Sequence, residues 1–138
     1  MASYMQELTG AWVGWLRHRD AVQNKVIELV QKTDAKFAGD EIERRHQLKR
    51  LQRDFYRVAI ADKLREEKGG EDRPPKELLD RADLILEKSG HVPGRRGRSD
   101  EMRTRTEESY YSTVRVRWSK LLSKAQVLAA DSRGGPTR

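Results

Sequence analysis

The chain has 138 residues, and Lys plus Arg exceed Asp plus Glu by 29 to 22, for a formal charge of +7 and a pI near 9.9. Charged residues make up 37% of it and apolar residues 36%, a balance that suits one helical domain with a modest core and wide solvated faces, and leaves little for a second core. No cysteine is present, which excludes a disulfide framework and a thiolate metal site, and no apolar run approaches the roughly 20 residues of a membrane span. The opening M-A-S-Y-M-Q-E lacks the basic and apolar regions of a secretory signal, so a cytoplasmic protein without a membrane partner is expected.

From Met5 to Phe37, apolar residues including Leu8, Trp12, Trp15, Val22, Val26, Leu29 and Val30 recur at steps of three and four, one stripe of a helix. Gly10 and Gly14 weaken its first turns and Arg19 falls on the same stripe, so either the helix kinks near 14–20 or that arginine reaches through the seam. A second helix opens at Asp40, with Glu43 three residues later as an Asp-led capping box, and runs to about Lys68. Leu48, Leu51, Phe55, Val58 and Ala59 form its main stripe; Tyr56, Ile60 and Leu64 widen the apolar face toward its end, which predicts a helix sandwiched there.

Gly69-Gly70 ends that helix and Pro74-Pro75 opens a third, carrying Leu78, Leu79, Ala82, Ile85 and Leu86, with Gly90 as its expected closing residue. After the segment G-H-V-P-G-R-R-G-R, Ser99 or Asp100 caps a last helix bearing Met102, Tyr110, Val114, Trp118, Leu121, Leu122, Ala125 and Leu128. Residues 110–118 also alternate with period two, as a strand would, but no second strand candidate exists to pair with them, and helix is preferred. The expected architecture is therefore all-α: a single-domain bundle of about four main helices near 5–37, 40–68, 75–89 and 100–130. The bundle spans 1–130, carries a basic Gly/Arg loop at 90–99, and is followed by a flexible tail at 131–138. The expected core is Trp12, Trp15, Val26, Val30, Leu51, Phe55, Val58, Leu79, Ile85, Trp118, Leu121 and Leu128.

Catalytic signatures are missing. His18, His46 and His91 have no ligand spacing to one another; Gly90-x-x-x-Gly94 lacks the Lys-Ser/Thr of a phosphate-binding loop; no G-x-S-x-G occurs. Glu66-Glu67 and Glu107-Glu108 read as solvated pairs rather than an acid–base couple. A non-enzyme without metal or cofactor is expected.

The positive charge is concentrated. Residues 41–68 carry nine cations against six carboxylates and 90–124 nine against four, whereas 69–89 carry four against six. On the second helix Lys49, Arg50, Arg53 and Arg57 fall within about a 100° sector, flanked by Arg45 and Lys63, a ridge able to follow successive phosphates. Arg95, Arg96 and Arg98 lie among glycines, in the manner of Arg-Gly segments that bind RNA without strong base preference. Arg117, Lys120 and Lys124 share one side of the last helix. These residues point to sequence-neutral contact with a nucleic-acid backbone, RNA ahead of DNA, although nothing identifies a 2′-hydroxyl reader and solvated faces or a disordered loop would use the same residue types.

In size, in the absence of catalytic motifs, and in its segments A-W-V-G-W-L-R, R-R-H-Q-L-K-R-L-Q-R and G-R-R-G-R, the chain resembles the small, all-helical, non-catalytic subunit of class 1 CRISPR effector complexes. The resemblance implies a subunit in a ribonucleoprotein, lining guide RNA and target beside larger protein subunits, with self-association along a filament; it carries no residue-by-residue motif. Two other classes fit the same sequence. One is a phage or plasmid accessory protein acting in DNA packaging, in chromosome binding or as an inhibitor. The other is a helical protein–protein adaptor.

Overall fold

The structure, a computed structural model, describes residues 4–15, 19–68, 76–89 and 105–134, with side chains for 4–11, 20–67, 76–89 and 108–131. Among the described residues it is all-helical and contains five helices: α1 (Tyr4–Trp15), α2 (Arg19–Lys36), α3 (Glu41–Lys68), α4 (Lys76–Lys88) and α5 (Arg105–Gly134). The count differs from four because the expected first helix is two. The Tyr4 hydroxyl hydrogen-bonds Thr33 Oγ1, and Lys25 Nζ lies 3.1 Å from Glu7 Oε1. A straight helix would hold residues 4 and 33 about 44 Å apart. The chain instead folds back between Trp15 and Arg19, at the stretch where the glycines and Arg19 weaken the helical stripe, and α1 lies antiparallel on α2.

The turn into α3 follows the sequence signal. Asp40 Oδ1 accepts from the Glu43 amide at 3.1 Å, and the Arg44 amide donates to the Asp40 carbonyl at 2.9 Å. The reciprocal half of the capping box is replaced: the Asp40 amide donates to the Phe37 carbonyl, and Glu43 accepts from Gln47 instead. Arg44 ties the hairpin, 2.8 Å from Asp34 of α2 and 2.8 Å from Glu41. The Arg44 hydrogen bonds to Glu41, with a further one from Arg45, pull the Glu41 carboxyl down to about 2.

α3 packs against all four other helices. Over residues 55–62 it is buried on nearly every side, with only Arg57 half-exposed, which is the sandwiching that the widened apolar face predicts. Its bond to α5 is aromatic: Phe55 and Trp118 rings lie 5.8 Å apart and Tyr56 meets Tyr111 edge to face at 5.8 Å. Tyr110 lies beside Glu67 near the C-terminal end of α3, which with Phe55 against Trp118 runs α5 antiparallel to α3. α5 runs parallel to α2, since Gln31 reaches the Ala125 carbonyl while Gln23 sits beside residues 113–121. Residues 110–118, with both periodicities, are helical.

Val26, Val30, Leu51, Phe55, Val58, Ile85, Trp118 and Leu121 are buried as expected, and Leu79 is half-buried. Leu128 is not core: it is 42% exposed, because past Ala125 only Ala129, among the described side chains, is even half-covered. Trp12 and Trp15 have side chains outside the described set, as do the Gly90 terminus and the 90–99 loop. α5 is described from Arg105, the expected start near 100 lying outside the described residues, and it extends to Gly134, into the stretch expected as tail.

Truncation of Phe55 or Trp118 to Ala should lower stability by about 3–5 kcal/mol, while Leu128→Ala should change it by less than about 0.5 kcal/mol. Urea unfolding followed by circular dichroism measures all three; a large loss at Leu128 with small losses at the aromatics would reverse the placement of the seam.

Candidate nucleic-acid interface

The basic ridge of α3 is divided by α4. This helix carries Glu77, Asp80, Asp83 and Glu87 against Lys76, Arg81 and Lys88, and buries Leu78, Ala82, Ile85 and Leu86. It packs mainly on α3, along the flank where the ridge continues toward the C-terminus. Arg57 Nε lies 2.9 Å from Asp83 Oδ2 and 3.4 Å from the Leu79 carbonyl; its Nη2 is 3.7 Å from Asp80. Arg53 Nη2 is 3.4 Å from Asp83 Oδ1. Arg53 and Arg57, expected as phosphate contacts, therefore already face carboxylates across a helix–helix contact and are only 31% and 22% exposed.

Asp54 lies in the same contact. Burial pushes its carboxyl above the usual range, against the pull of Arg53, Arg50 and Arg57 and with a further push from Asp83. Asp83 Oδ1 is buried without a well-aligned hydrogen bond among the described residues. The cluster thus sets two guanidiniums among three crowded carboxylates, and its geometry holds α4 in place.

What remains of the ridge is its N-terminal half. Lys49 and Arg50 are exposed and make no ion pair among the described residues; Arg45 is 70% exposed and 3.3 Å from Glu41. His46 and Ile42 are exposed among them, the latter at 71%. Lys63 is half-buried and about 21 Å further along the axis than Lys49, so it does not join this group. The pairs Arg57–Asp80 and Arg53–Asp83 run α4 antiparallel to α3, so the chain leaves α4 at the end nearest Lys49 and Arg50. The segment with Arg95, Arg96 and Arg98 follows from there and lies outside the described residues.

The basic residues of α5 belong to another flank. Arg117 and Lys120 line an open groove of about 330 Å³ with Gln23, Thr113, Val116 and Leu121; Lys124 is one turn on. This groove opens beside α2, whereas the ridge lies beside α4, and α2 and α4 form no sizeable interface with each other. Among the described residues the basic side chains of α3 and α5 therefore lie on separate flanks. The exposed valines on α5 escaped the sequence reading although the signal was present, since Val116 and Val127 fall off the stripe that defines the core face.

No group of three His, Asp or Glu side chains able to hold a metal occurs among the described residues, and no described helix is long and apolar enough to cross a membrane. No family model, curated protein or solved structure matches the chain.

The crowded carboxylates yield opposite expectations. A carboxyl whose folded pKa is raised destabilises the fold progressively as pH rises from its unfolded pKa through its folded one, and the effect vanishes where both states are protonated. Asp54→Asn should therefore raise the thermal midpoint at pH 7, with the gain shrinking as pH falls below the ordinary carboxylate range. Asp83→Asn should lower stability at pH 7 by about 1–2 kcal/mol, because two half-buried guanidiniums lose their shared partner. Thermal melts of both variants from pH 3 to pH 7 check the signs.

Proposed function

We propose that this protein binds the phosphate backbone of a nucleic acid, without catalysis and without reading base sequence, through the N-terminal half of α3, as one subunit of a larger ribonucleoprotein. The observation that carries the reading is the contrast along one helix. Arg53 and Arg57 are neutralised by α4, while the adjoining Lys49 and Arg50 face solvent and make no ion pair among the described residues, near the C-terminal end of α4, which the arginine-rich segment follows in sequence. Exposed cations on a preformed helix meet phosphate without a further loss of backbone entropy. The net charge of +7 supports attraction to a polyanion over a longer range.

RNA is placed ahead of DNA because the G-R-R-G-R segment resembles RNA-binding Arg-Gly sequences. A place beside guide RNA in a class 1 CRISPR effector complex, repeated along a filament, is the specific form of this reading that the resemblance suggests.

Salt titration of the full chain with a labelled single strand and a duplex of unrelated sequences tests it. Binding should weaken steeply as salt rises. Lys49→Ala with Arg50→Ala should reduce affinity alike for all sequences and flatten the log–log salt slope by up to about 1.4 on single strands or 1.8 on duplex. Lys63→Ala should leave both unchanged, and helicity should be intact throughout. Salt-insensitive binding, or a double variant that binds as the parent does, would remove the reading.

A further inference from the structure

α5 carries two stripes. The inner one, Tyr110, Val114, Trp118, Leu121 and Ala125, is buried in the bundle. The outer one runs Thr113, Val116, Lys120, Lys124 and Val127 at steps of three and four, a line about 21 Å long on a straight helix. Val116 is 51% exposed, Val127 59%, and Leu128 beside them 42%. Among the described residues no other helix covers Val127, and Val116 opens onto a groove beside Gln23 of α2.

The ground beside this stripe is a trough between two parallel helices. Of its six lining residues two are cationic, two are neutral hydrogen-bonding side chains, two are apolar and none is a carboxylate. Lys120 and Lys124 make no ion pair among the described residues. We infer that this trough and the outer stripe of α5 dock an amphipathic helix of a partner protein, with the partner's apolar residues bordered by Asp or Glu.

Chemistry selects that occupant over others. A phosphate backbone would use the lysines but gains nothing from two valines spaced eleven residues apart, three helical turns on the same side. A neutral apolar helix would cover the valines and strip water from Lys120 and Lys124 with no counter-charge in return, which is unfavourable. An acidic amphipathic helix meets both demands at once, and helix-in-groove recognition by anchors at three- and four-residue spacing is a known mode. The surface lies on a different flank from Lys49 and Arg50, so one chain can hold nucleic acid and protein simultaneously.

The test uses the full chain and a labelled, covalently stapled helix of about 20 residues with Leu at three- and four-residue spacing and Glu between, read by fluorescence anisotropy. A second peptide has every Glu replaced by Gln. The Glu peptide should bind saturably and at least about tenfold more tightly than the Gln peptide. V116S with V127S, and separately K120E with K124E, should each weaken it by about tenfold or more, with the single variants V116S and K120E standing in for either pair that loses helicity. K49A with R50A should leave it unchanged. RNA binding by V116S with V127S should keep its affinity and salt dependence. No binding, equal binding of the Gln peptide, or parental affinity in either α5 variant overturns the inference. If the lysine reversals abolish RNA binding and spare the peptide, α5 belongs to the nucleic-acid surface, and the inference fails while the α3 reading survives.

Discussion

Two arginines of α3 share one carboxylate of α4, and the placement of that contact governs both the packing and the surface. α3 touches every other helix, so its charged side chains can be accommodated only where a neighbour supplies the opposite charge or where the helix protrudes into water. Asp83 answers Arg57 at 2.9 Å and Arg53 at 3.4 Å, and this lets an acidic, amphipathic α4 lie on a basic helix without stranding a guanidinium. The arrangement is not without tension, because Asp54 is drawn into the same contact and its carboxyl is forced upward by burial. With the second half of the ridge used internally, the free positive charge of α3 is displaced to the half that protrudes.

Much of this was legible in the chain. Period and capping located the start of α3 at Asp40, the extent of α4, and the buried stripe of α5 through Phe55's partner Trp118, because each is a local property of neighbouring residues. The widening of apolar positions after Phe55 correctly signalled a helix covered on several sides. What escaped depends on distance. The fold-back between Trp15 and Arg19 left only a weak trace in two glycines and a misplaced arginine. Likewise, no local pattern told that Arg53 and Arg57 would face α4 while Lys49 would not, since on a helical projection all belong to one sector. Leu128 continued the core stripe in sequence, yet the bundle ends before it reaches that turn.

The candidate site was legible in kind more than in extent. Charge counting found both basic segments, but it could not tell that one half of a ridge would be consumed by packing, or that α5 would present its cations toward α2. The described residues place the basic side chains of α3 and α5 on two flanks of different character. The α3 flank is polar and cationic with one exposed isoleucine; the α5 flank sets two lysines between two exposed valines beside a trough. Such a division suits a small subunit that joins unlike partners better than a molecule coated evenly with charge.

The parallel course of α2 and α5 has a kinetic meaning. Helices α1, α2 and α3 form two successive antiparallel hairpins whose contacts close short stretches of chain, whereas the bond between Gln31 and the Ala125 carbonyl joins residues 94 apart. Loop closure over such a span carries a larger entropic barrier than the hairpins do, so the order of assembly is biased toward a three-helix platform that α5 joins late. Until it does, Phe55 and Tyr56 lack the aromatic partners that α5 brings to them, and a nascent chain emerging from its N-terminus passes through that stage each time it is made. α5 thus completes the packing around Phe55 and Tyr56.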